Sequence, residues 1–358
     1  MSHQEPKQPE ATTEADLPKA TTENDLSKTT AEADLRFSLI IPAFNCYDHL
    51  KRLLDNLQEQ SFPCELYEII VVDDGSTDNT ASISESYPVR LVSHSTNLGR
   101  VQARESGAKA AKCSTLVFVD TRLTVDKDML KNAVDLDYLP LMGVGTSDKY
   151  LSAIDRVFYC IRRRTYYPYE PQFKYAPELW LKENEFDGRP KGTGLLIIDR
   201  SMFLDCALKE KYQDVNDDTK LLKNIVTMGA PILRHTNLEY TYEHRHNWSD
   251  LLKHTFFRGP KFLDYYLVPG GPLFGKYITG LLLLLITFAF CLYWPILFGV
   301  CALLIVIIFT GTCIWMSEDF GDFFTCLYCF PPIAGAFIGG ITFAQITRLF
   351  KMRTLIRH

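Results

Sequence analysis

Two short segments of the chain are apolar without any polar alternation. Residues 37–45 read FSLIIPAFN and residues 67–73 read YEIIVVD, and the second segment runs into the acids Asp73 and Asp74. Strands that are apolar on both faces are typical of parallel sheets covered by helices on both sides. The pattern therefore predicts such a sheet, with polar side chains at the carboxyl ends of its strands, where ligands bind in open α/β folds.

The segments around these strands show the spacing of helices. Leu50, Leu53, Leu54 and Leu57 follow the i, i+3, i+4, i+7 pattern, and Asp48 is placed to cap that helix. Further strands are predicted at residues 89–93 and 115–120, and a further helix at residues 100–112. Strands that alternate with helices of this length indicate an α/β fold with a mostly parallel sheet and flanking helices.

The last part of the chain has a membrane-type pattern. Residues 277–317 are 41 residues without a charge, which is about 60 Å of helix at about 1.5 Å per residue and enough for two transmembrane helices. Trp294 and Pro295 mark the turn between them. A third apolar stretch, residues 323–347, contains the proline pair Pro331 and Pro332.

Basic residues flank this apolar block on both sides. They are Lys253, Arg258, Lys261 and Lys276 before it, and Arg348, Lys351, Arg353 and Arg357 after it. Three complete spans would place the two clusters on opposite sides of the membrane, against the tendency of basic residues to stay in the cytoplasm. The sequence leaves open whether the third stretch crosses, is re-entrant or is kinked at its prolines, so two to three spans are expected.

An amphipathic helix is predicted directly before the membrane block. Its apolar face comprises Trp248, Leu251, Leu252, Thr255 and Phe256. Lys253, Arg258 and Lys261 lie off that face. A helix of this kind next to a membrane segment is typical of the membrane interface.

The first 35 residues have a different composition. They contain a nine-residue repeat, no aromatic residue, eight acids and three lysines, a balance that equals the formal charge of −5 of the whole chain. Such a segment cannot bury enough apolar surface to offset its ordering entropy, so a disordered acidic tail is predicted. The rest of the chain is electrically balanced, which argues against a nucleic-acid partner, and no secretory signal is expected.

Four segments in a fixed order resemble a known family. IIPAFN, VVDDGSTDNT, NLGRVQARESGAKAA and LVFVD occur in this order within residues 37–120. Together they resemble the nucleotide-sugar half of the inverting family 2 glycosyltransferases, which have the A-type glycosyltransferase fold. The resemblance implies an enzyme that binds a nucleotide-diphosphate sugar, either a UDP-sugar or a GDP-sugar.

The resemblance also implies which residues hold the donor nucleotide. They are Pro42, Ala43, Asn45, Asp73, Asp74, Asn97, Gly99 and Arg104. The carboxylates suit the uracil imide or the ribose hydroxyls, which need acceptors. Arg104 is open to a second interpretation as an ordinary charge on a helix surface.

One position departs from the family pattern. Family members carry two acids separated by one residue, and the second acid binds a divalent cation; here the motif reads Asp120, Thr121, Arg122. Asp120 alone could recruit Mg2+ or Mn2+ weakly, with waters and phosphates as the other ligands. Alternatively, Arg122 neutralises the diphosphate directly, or it points away and pairs with Asp126 or Asp128.

An acidic pair begins the next recognisable helix. In QDVNDDTKLLKNIVTMG the resemblance assigns the second acid, Asp218, as the general base, with Asp217 as its neighbour. An inverting transfer needs one carboxylate to take the proton of the acceptor hydroxyl. The same residues also suit a helix N-terminus capped by Asn216 or Asp217, and both interpretations can hold together.

These observations divide the chain into four parts. They are a disordered acidic tail (1–35), a catalytic domain (36–243), an interfacial segment (244–275) and a membrane domain (276–358). The predicted function is a membrane-anchored inverting glycosyltransferase with a cytoplasmic catalytic domain and a lipid-linked or glycan acceptor. A processive polysaccharide synthase is disfavoured because few spans are present. A catalytically impaired nucleotide-sugar-binding or scaffold subunit is the alternative: Arg122 favours it, whereas Asp218 favours an enzyme.

Overall fold

The computed structural model describes residues 36–146, 152–167, 169, 178–208, 216–245 and 247–355. The acidic tail predicted for residues 1–35 lies outside this part of the chain. The described residues form nine strands and ten α-helices. The strands are β1 (Phe37–Ala43), β2 (Tyr67–Asp73), β3 (Arg90–Ser93), β4 (Thr115–Val119), β5 (Leu123–Val125), β6 (Leu141–Thr146), β7 (Glu178–Leu181), β8 (Leu195–Asp199) and β9 (Ile232–Tyr242).

The helices fall into a group within the sheet domain and a group after it. The first group is α1 (Tyr47–Gln58), α2 (Arg100–Ala110), α3 (Met129–Asp135), α4 (Ala153–Thr165), α5 (Arg200–Cys206) and α6 (Asp217–Thr227). The second is α7 (Trp248–Tyr266), α8 (Phe274–Tyr293), α9 (Pro295–Met316) and α10 (Phe320–Leu355). The helix predicted from the leucine spacing is confirmed as α1, but Asp48 lies in its first turn and caps nothing. The capping role predicted for Asp48 is therefore wrong.

All nine strands belong to one sheet, in the order β3-β2-β1-β4-β8-β6-β9-β5, with β7 paired to β9. The first four strands in this order, β3, β2, β1 and β4, run parallel to one another, as predicted. Beyond β4 the sheet is mixed, because β8 runs antiparallel to both β4 and β6. The α/β class with flanking helices is confirmed, and the sheet as a whole is mixed, since among the described strands beyond β4 only β6 and β9 pair in parallel.

The apolar residues of β1 contact both faces of the sheet. Leu39 and Ile41 pack with the leucines of α1 on one face, and Ile40 packs with residues of α2 on the other, all without solvent exposure. A side chain at Gly107 would come within 2.4 Å of Ile40 Cγ2. Helix α2 therefore lies unusually close to the sheet, which fixes the position of its first turn.

Three helices at the end of the chain are long and apolar enough to cross a membrane. They are 20, 22 and 36 residues long, and their side chains are largely exposed in α8 and α9. The turn predicted at Trp294 and Pro295 separates α8 from α9, and both prolines of the third stretch lie inside the continuous helix α10. These helices are consistent with membrane association.

The apolar face of α7 packs against α10. The ring of Trp248 meets that of Tyr328 edge-on, with 6.2 Å between the ring centroids, and the ring centroids of Phe256 and Phe343 are 5.7 Å apart. The amphipathic pattern thus predicted the correct face of α7. In the structure this face meets another helix of the same chain.

Candidate active site

The carboxylate of Asp74 is hydrogen-bonded to backbone N–H groups at the start of α2. It accepts hydrogen bonds from the N–H groups of Leu98 at 2.9 Å and Gly99 at 2.8 Å, and it lies 2.7 Å from His94 Nδ1. Asp74 is only 4% exposed. In the structure it fixes the turn through Asn97 and Gly99, and a direct contact between Asp74 and a nucleotide stays a prediction.

The ends of β1 and β2 are held together by a second set of hydrogen bonds. Asn45 adopts a positive φ of 46° and accepts from the N–H of Thr77 at 2.8 Å, while its own N–H donates to Ser76 Oγ at 3.0 Å. Asp73 accepts from the N–H of Ser76 at 3.1 Å, and the carbonyl of Ala43 accepts from the N–H of Asp74 at 2.8 Å. Ala43, Asn45, Asp73 and Asp74, which were predicted to bind the nucleotide, are therefore held together where β1 and β2 end.

Gly75 allows this turn to pack against the segment before α2. It has a φ of +74°, and a Cβ atom on it would lie 2.5 Å from the carbonyl carbon of Thr96 and 2.8 Å from the amide nitrogen of Asn97. Both neighbours are backbone atoms, which cannot move aside as a flexible side chain can. The glycine thus joins the end of β2 to the start of α2.

We expect Gly75→Ala to lower the free energy of unfolding by more than about 1–3 kcal/mol, the typical cost of a strained backbone position, because the backbone clash adds to the strain. Gly229→Ala is the matched control: Gly229 has a φ of +88° and open space around it. Chemical denaturation of both variants measures the difference. Equal losses in the two variants would show that the close approach to Thr96 contributes nothing.

Two arginines of α2 reach across to the start of α6. Arg100 donates from Nε and Nη2 to the two carboxylate oxygens of Asp217, each at 2.7 Å. Arg104 donates to Asp218 Oδ1 at 3.1 Å and to Thr193 Oγ1 at 2.7 Å. Arg104 is 5% exposed, so its interpretation as a surface charge is wrong.

Asp217 and Asp218 form the first turn of α6. Asn216 caps this helix by accepting from the N–H of Thr219 at 3.3 Å, so the capping interpretation is confirmed. The side chain of Asp217 is 5% exposed and that of Asp218 is 34% exposed. Asp218 also accepts a hydrogen bond from the hydroxyl of Thr193. Of the two acids, Asp218 is the one that solvent or a substrate can reach.

The charges around Asp218 keep it ionised. Burial by itself raises the pKa of this carboxyl. The nearby charges of Arg100 and Arg104 and the hydrogen bond from the Thr193 hydroxyl lower the pKa by more, so it lies well below its usual range. The opposing guanidinium groups favour the charged form because they lie within hydrogen-bond distance of it. Asp218 is thus a carboxylate at neutral pH, and its strength as a base depends on these arginines.

Asp120 lies directly after β4, beside the antiparallel strand β8. Its N–H donates to the carbonyl of Gly194 at 2.9 Å, and its Oδ1 accepts from the N–H of Arg122 at 3.0 Å. The same region contains a small cavity. It is lined by Pro42, Arg100, Arg104, Phe118, Val119, Asp120 and Thr193. The carboxyl ends of β1 and β4 and the first turns of α2 therefore face one space, and α6 contacts the same two arginines through Asp217 and Asp218.

The alternative pairing of Arg122 with Asp126 or Asp128 is wrong. In the described part of the chain, Asp126 accepts from the N–H of Asp128 at 2.8 Å, and Asp128 accepts from Ser61 Oγ at 2.6 Å. Burial, and then the charge of Arg245, lowers the pKa of Arg122.

The charges of four arginines act on His254 of α7. Burial and then the charges of Arg245, Arg258, Arg100 and Arg122 lower the pKa of His254 to about 3. We call these four arginines the cationic cluster. Arg100 of this cluster lines the cavity beside Asp120, and the positive charge there suits an anion.

The residues at Asp120 do not form a metal site by themselves. Mg2+ and Mn2+ favour several oxygen ligands, and no group of three His, Cys, Asp or Glu side chains suited to a metal occurs among the described residues. Arg100 and Arg104 line the cavity beside Asp120. A divalent cation at Asp120 would therefore need waters and the phosphates of the donor as its other ligands, and the metal role of Asp120 stays a prediction.

The fold and site agree with a sequence comparison. Residues 38–178 match the family model described as Glycosyl transferase family 2. This chain carries a family 2 glycosyltransferase domain. The resemblance inferred from the four ordered segments is thereby confirmed, and the matched region includes Asp73, Asp74, Arg104 and Asp120 but ends before Asp218.

The family 2 domain is similar to several curated enzymes. The chain is 35% identical over 104 residues to the poly(ribitol-phosphate) beta-N-acetylglucosaminyltransferase TarS of Staphylococcus aureus, and the aligned residues cover 28% of this chain and 18% of that relative. It is 37% identical over 93 residues to the poly(ribitol-phosphate) beta-glucosyltransferase of Bacillus spizizenii, which covers 24% and 15%. The chain thus spans less than a fifth of the length of these relatives.

A solved structure also resembles the chain. The mannosyltransferase PcManGT from Pyrobaculum calidifontis, in complex with GDP-Man and Mn2+, matches with a TM-score of 0.46 and 20% identity. The match covers 64% of this chain and 63% of that one.

The motifs missed three residues of the site. Arg100 binds Asp217, Thr193 binds both Asp218 and Arg104, and Lys261 of α7 places Nζ 3.7 Å from Asp217 Oδ1. The signal for Arg100 was its spacing of four residues from Arg104 on α2, which puts both on one helix face. Neither Thr193 nor Lys261 carried a comparable signal, because each reaches the site from a distant part of the chain.

Proposed function

We propose that this protein transfers a sugar, with inversion, from a nucleotide-diphosphate donor to a lipid-linked or glycan acceptor. The supporting observation is that Asp218, the arginines of α2 and Asp120 meet beside the parallel strand ends of a family 2 domain. The protein would be an integral membrane enzyme with its catalytic domain in the cytoplasm, where nucleotide sugars are made.

The donor would lie across the ends of β1, β2 and β4. The hydrogen-bonded turn around Asp73, Asp74 and Asn45 suits the nucleoside, and the diphosphate would face the cationic cluster. Arg104 supports this arrangement because its buried Nε has no hydrogen-bond partner among the described residues. Charge builds on the diphosphate as the sugar departs, and preorganised cations stabilise that charge in the transition state.

Asp218 would act as the general base. As the bond between the acceptor oxygen and the sugar C1 forms, the acceptor proton passes to the Asp218 carboxylate and the bond from C1 to the diphosphate breaks. Arg100, whose side chain is 36% exposed, can turn from the aspartates to the diphosphate more easily than the buried Arg104. Losing this cation as a partner would raise the pKa of Asp218 and make it a stronger base.

The acceptor would approach beside α7. Lys261 Nζ lies 3.7 Å from Asp217 Oδ1. Asp264 of α7 accepts from the N–H of Asn216 at 3.0 Å and lies 2.8 Å from Lys220 Nζ. Helix α7 also packs against α10, so only one helix separates the site from the apolar end of the chain. This position favours a lipid-linked acceptor, and the names of the curated relatives support an acceptor that contains phosphate.

A panel of radiolabelled UDP- and GDP-sugars, incubated with membranes that contain the protein, tests the proposal. Label should move into the organic extract with one donor and remain in the aqueous phase with Asp218→Asn membranes. Donor binding without any transfer to lipid or glycan would favour the second candidate, a nucleotide-sugar-binding subunit, which Arg122 at the usual metal position supports.

We expect Arg100→Gln to move the acidic limb of the pH profile of kcat/KM to higher pH. Arg100 lowers the pKa of Asp218 in the free protein, so removing its charge raises the pH below which the base becomes protonated. Lys109→Gln is the control, since it removes a charge from the same helix at a side chain that is 64% exposed. An unchanged acidic limb in Arg100→Gln would show that Asp218 is not the base that titrates.

A further inference from the structure

Helix α10 is buried along one face over most of its length. Its buried residues include Asp322, Cys326, Cys329, Ile333 and Ala344. Their spacing is that of a single helix face. The distance along the helix from Asp322 to Ala344 is about 33 Å at about 1.5 Å per residue. That length matches the hydrocarbon core of a bilayer, which is about 30 Å thick. The identity of the segments covering this face therefore decides whether α10 can cross.

The first half of this face is covered by α4. Arg156 Nε lies 2.9 Å from Asp322 Oδ1, and Asp322 has no solvent exposure. Cys160 and Val157 of α4 belong to the same apolar cluster as Cys326 and Cys329 of α10. Helix α4 is part of the sheet domain, because Arg162 donates to the carbonyl of Gly145 in β6 at 2.7 Å.

The second half is covered by α7. A Cβ atom on Gly259 would lie 2.5 Å from the amide nitrogen of Ile341, and one on Gly340 would overlap the carbonyl of Phe256. Arg348, near the far end of α10, places Nη2 3.7 Å from Asp264 Oδ1. The two helices are thus in backbone contact. Gly335 of α10, by contrast, faces open space.

Both covering helices carry charges that the centre of a bilayer excludes. Helix α4 contains Arg162, Arg163 and Arg164, and α7 contains Lys253 and Arg258. Each such charge costs several kcal/mol at the bilayer centre. A bilayer-spanning α10 would bring these charges into the hydrocarbon or lose the contacts that bury its inner face.

The opposite face of α10 is exposed and apolar. It includes Phe324, Leu327, Ile338 and Ile346. The transmembrane candidates α8 and α9 join α10 near its two ends: Gln345 donates to the hydroxyl of Tyr277 in α8, and Phe309 of α9 lies 6.2 Å from Phe330. The exposed face is therefore continuous with the place where these two helices leave the domain, and a lipid surface is the partner that fits it.

We propose that α8 and α9 alone cross the membrane, and that α10 lies in the plane of the interface. The inner face of α10 would support the catalytic domain, and its outer face would rest on the acyl chains. Both basic clusters then lie on the side of the catalytic domain, as the positive-inside tendency requires. This inference does not depend on catalytic activity.

The first test determines on which side of the membrane residue 358 lies. An epitope tag after His358 and a tag before Met1 should be cleaved from the same side of sealed inside-out vesicles by added protease. Three spans would place the C-terminal tag in the lumen, where it would be protected. That result would overturn the proposal.

Depth measurements test the orientation of α10 directly. Nitroxide labels at Phe324, Gly335 and Ile346 lie on one helix face, because they are 11 residues apart. In liposomes, their relative accessibility to oxygen and to a water-soluble nickel chelate should indicate one common depth. A maximum depth at Gly335, with shallow values at both other positions, would show a transmembrane helix. Strong dipolar broadening without oxygen access would show instead that a second copy of the chain covers this face.

Helix α9 provides the matched control. Labels at Ile296, Ile305 and Ile314, all exposed side chains, should be deepest at the central position. The labels would be introduced into a chain in which the accessible cysteines Cys46, Cys64, Cys291 and Cys301 are replaced. Equal depth on α9 as well would contradict the two-span arrangement.

Discussion

Asp218→Asn abolishes sugar transfer while the donor still binds within a few-fold of its normal affinity. The amide fills the space of the carboxylate but cannot take the acceptor proton, and loss of a general base typically lowers the rate by about 10²–10⁴-fold. Because Asp218 contacts Arg100, Arg104 and Thr193, the amide keeps an oxygen for part of this network. Single-turnover transfer of radiolabelled sugar and calorimetric titration with the nucleotide measure the two effects separately.

Asp205→Asn is the matched control for this variant. Asp205 is an exposed aspartate of α5, so its replacement removes the same charge and leaves the site intact. Full transfer by Asp218→Asn would refute the assignment of the base. Loss of donor binding together with transfer would show that Asp218 orders the arginines and has no separate role in proton transfer.

Transfer persists in a chelator, and Arg122→Ala slows it by about 10²-fold or more. If the cationic cluster neutralises the leaving diphosphate, removing one preorganised charge costs about what the loss of one oxyanion donor costs in other enzymes. Arg122→Asp restores the family arrangement of two acids and should make transfer dependent on Mg2+ or Mn2+. Rates measured against metal concentration for the three proteins separate these effects.

The control for Arg122 is Arg52→Ala. The side chain of Arg52 is 56% exposed and pairs with Glu243, so its loss should change the rate by less than about twofold, as exposed pairs contribute about 0–1 kcal/mol. A wild-type protein that is inactive in a chelator, together with an unaffected Arg122→Ala variant, would return the site to metal-assisted transfer through Asp120.

The first half of the fold follows from local patterns. Strands β1, β2 and β4 and helix α1 lie where unbroken apolar runs and leucine spacing predicted them, because each pattern reflects burial on the element's own faces. The direction of β8 and the place of β9 did not follow. Whether a strand runs parallel or antiparallel depends on pairing between residues far apart in the chain, and no local pattern records it.

Motifs located the acids of the site, and the tertiary structure defined their environment. Asp218 was named from its acidic pair, but the arginines that lower its pKa come from α2. Asp74 was predicted to face the nucleotide, and the structure shows its carboxylate bound to the backbone at Leu98 and Gly99. A motif records which residue type is needed at a position, whereas its protonation and its free oxygens depend on neighbours brought in by folding.

The end of the chain shows the same division. Composition alone established that α8, α9 and α10 are long and apolar enough to enter a membrane, and the amphipathic pattern identified the apolar face of α7. Only the tertiary structure decided that α4 and α7 cover one face of α10. The reason is that the hydrophobic effect drives an apolar side chain out of water without specifying its new surroundings. Burial in lipid and burial against a protein helix therefore require the same residues, and they can be distinguished only by the neighbours that folding supplies.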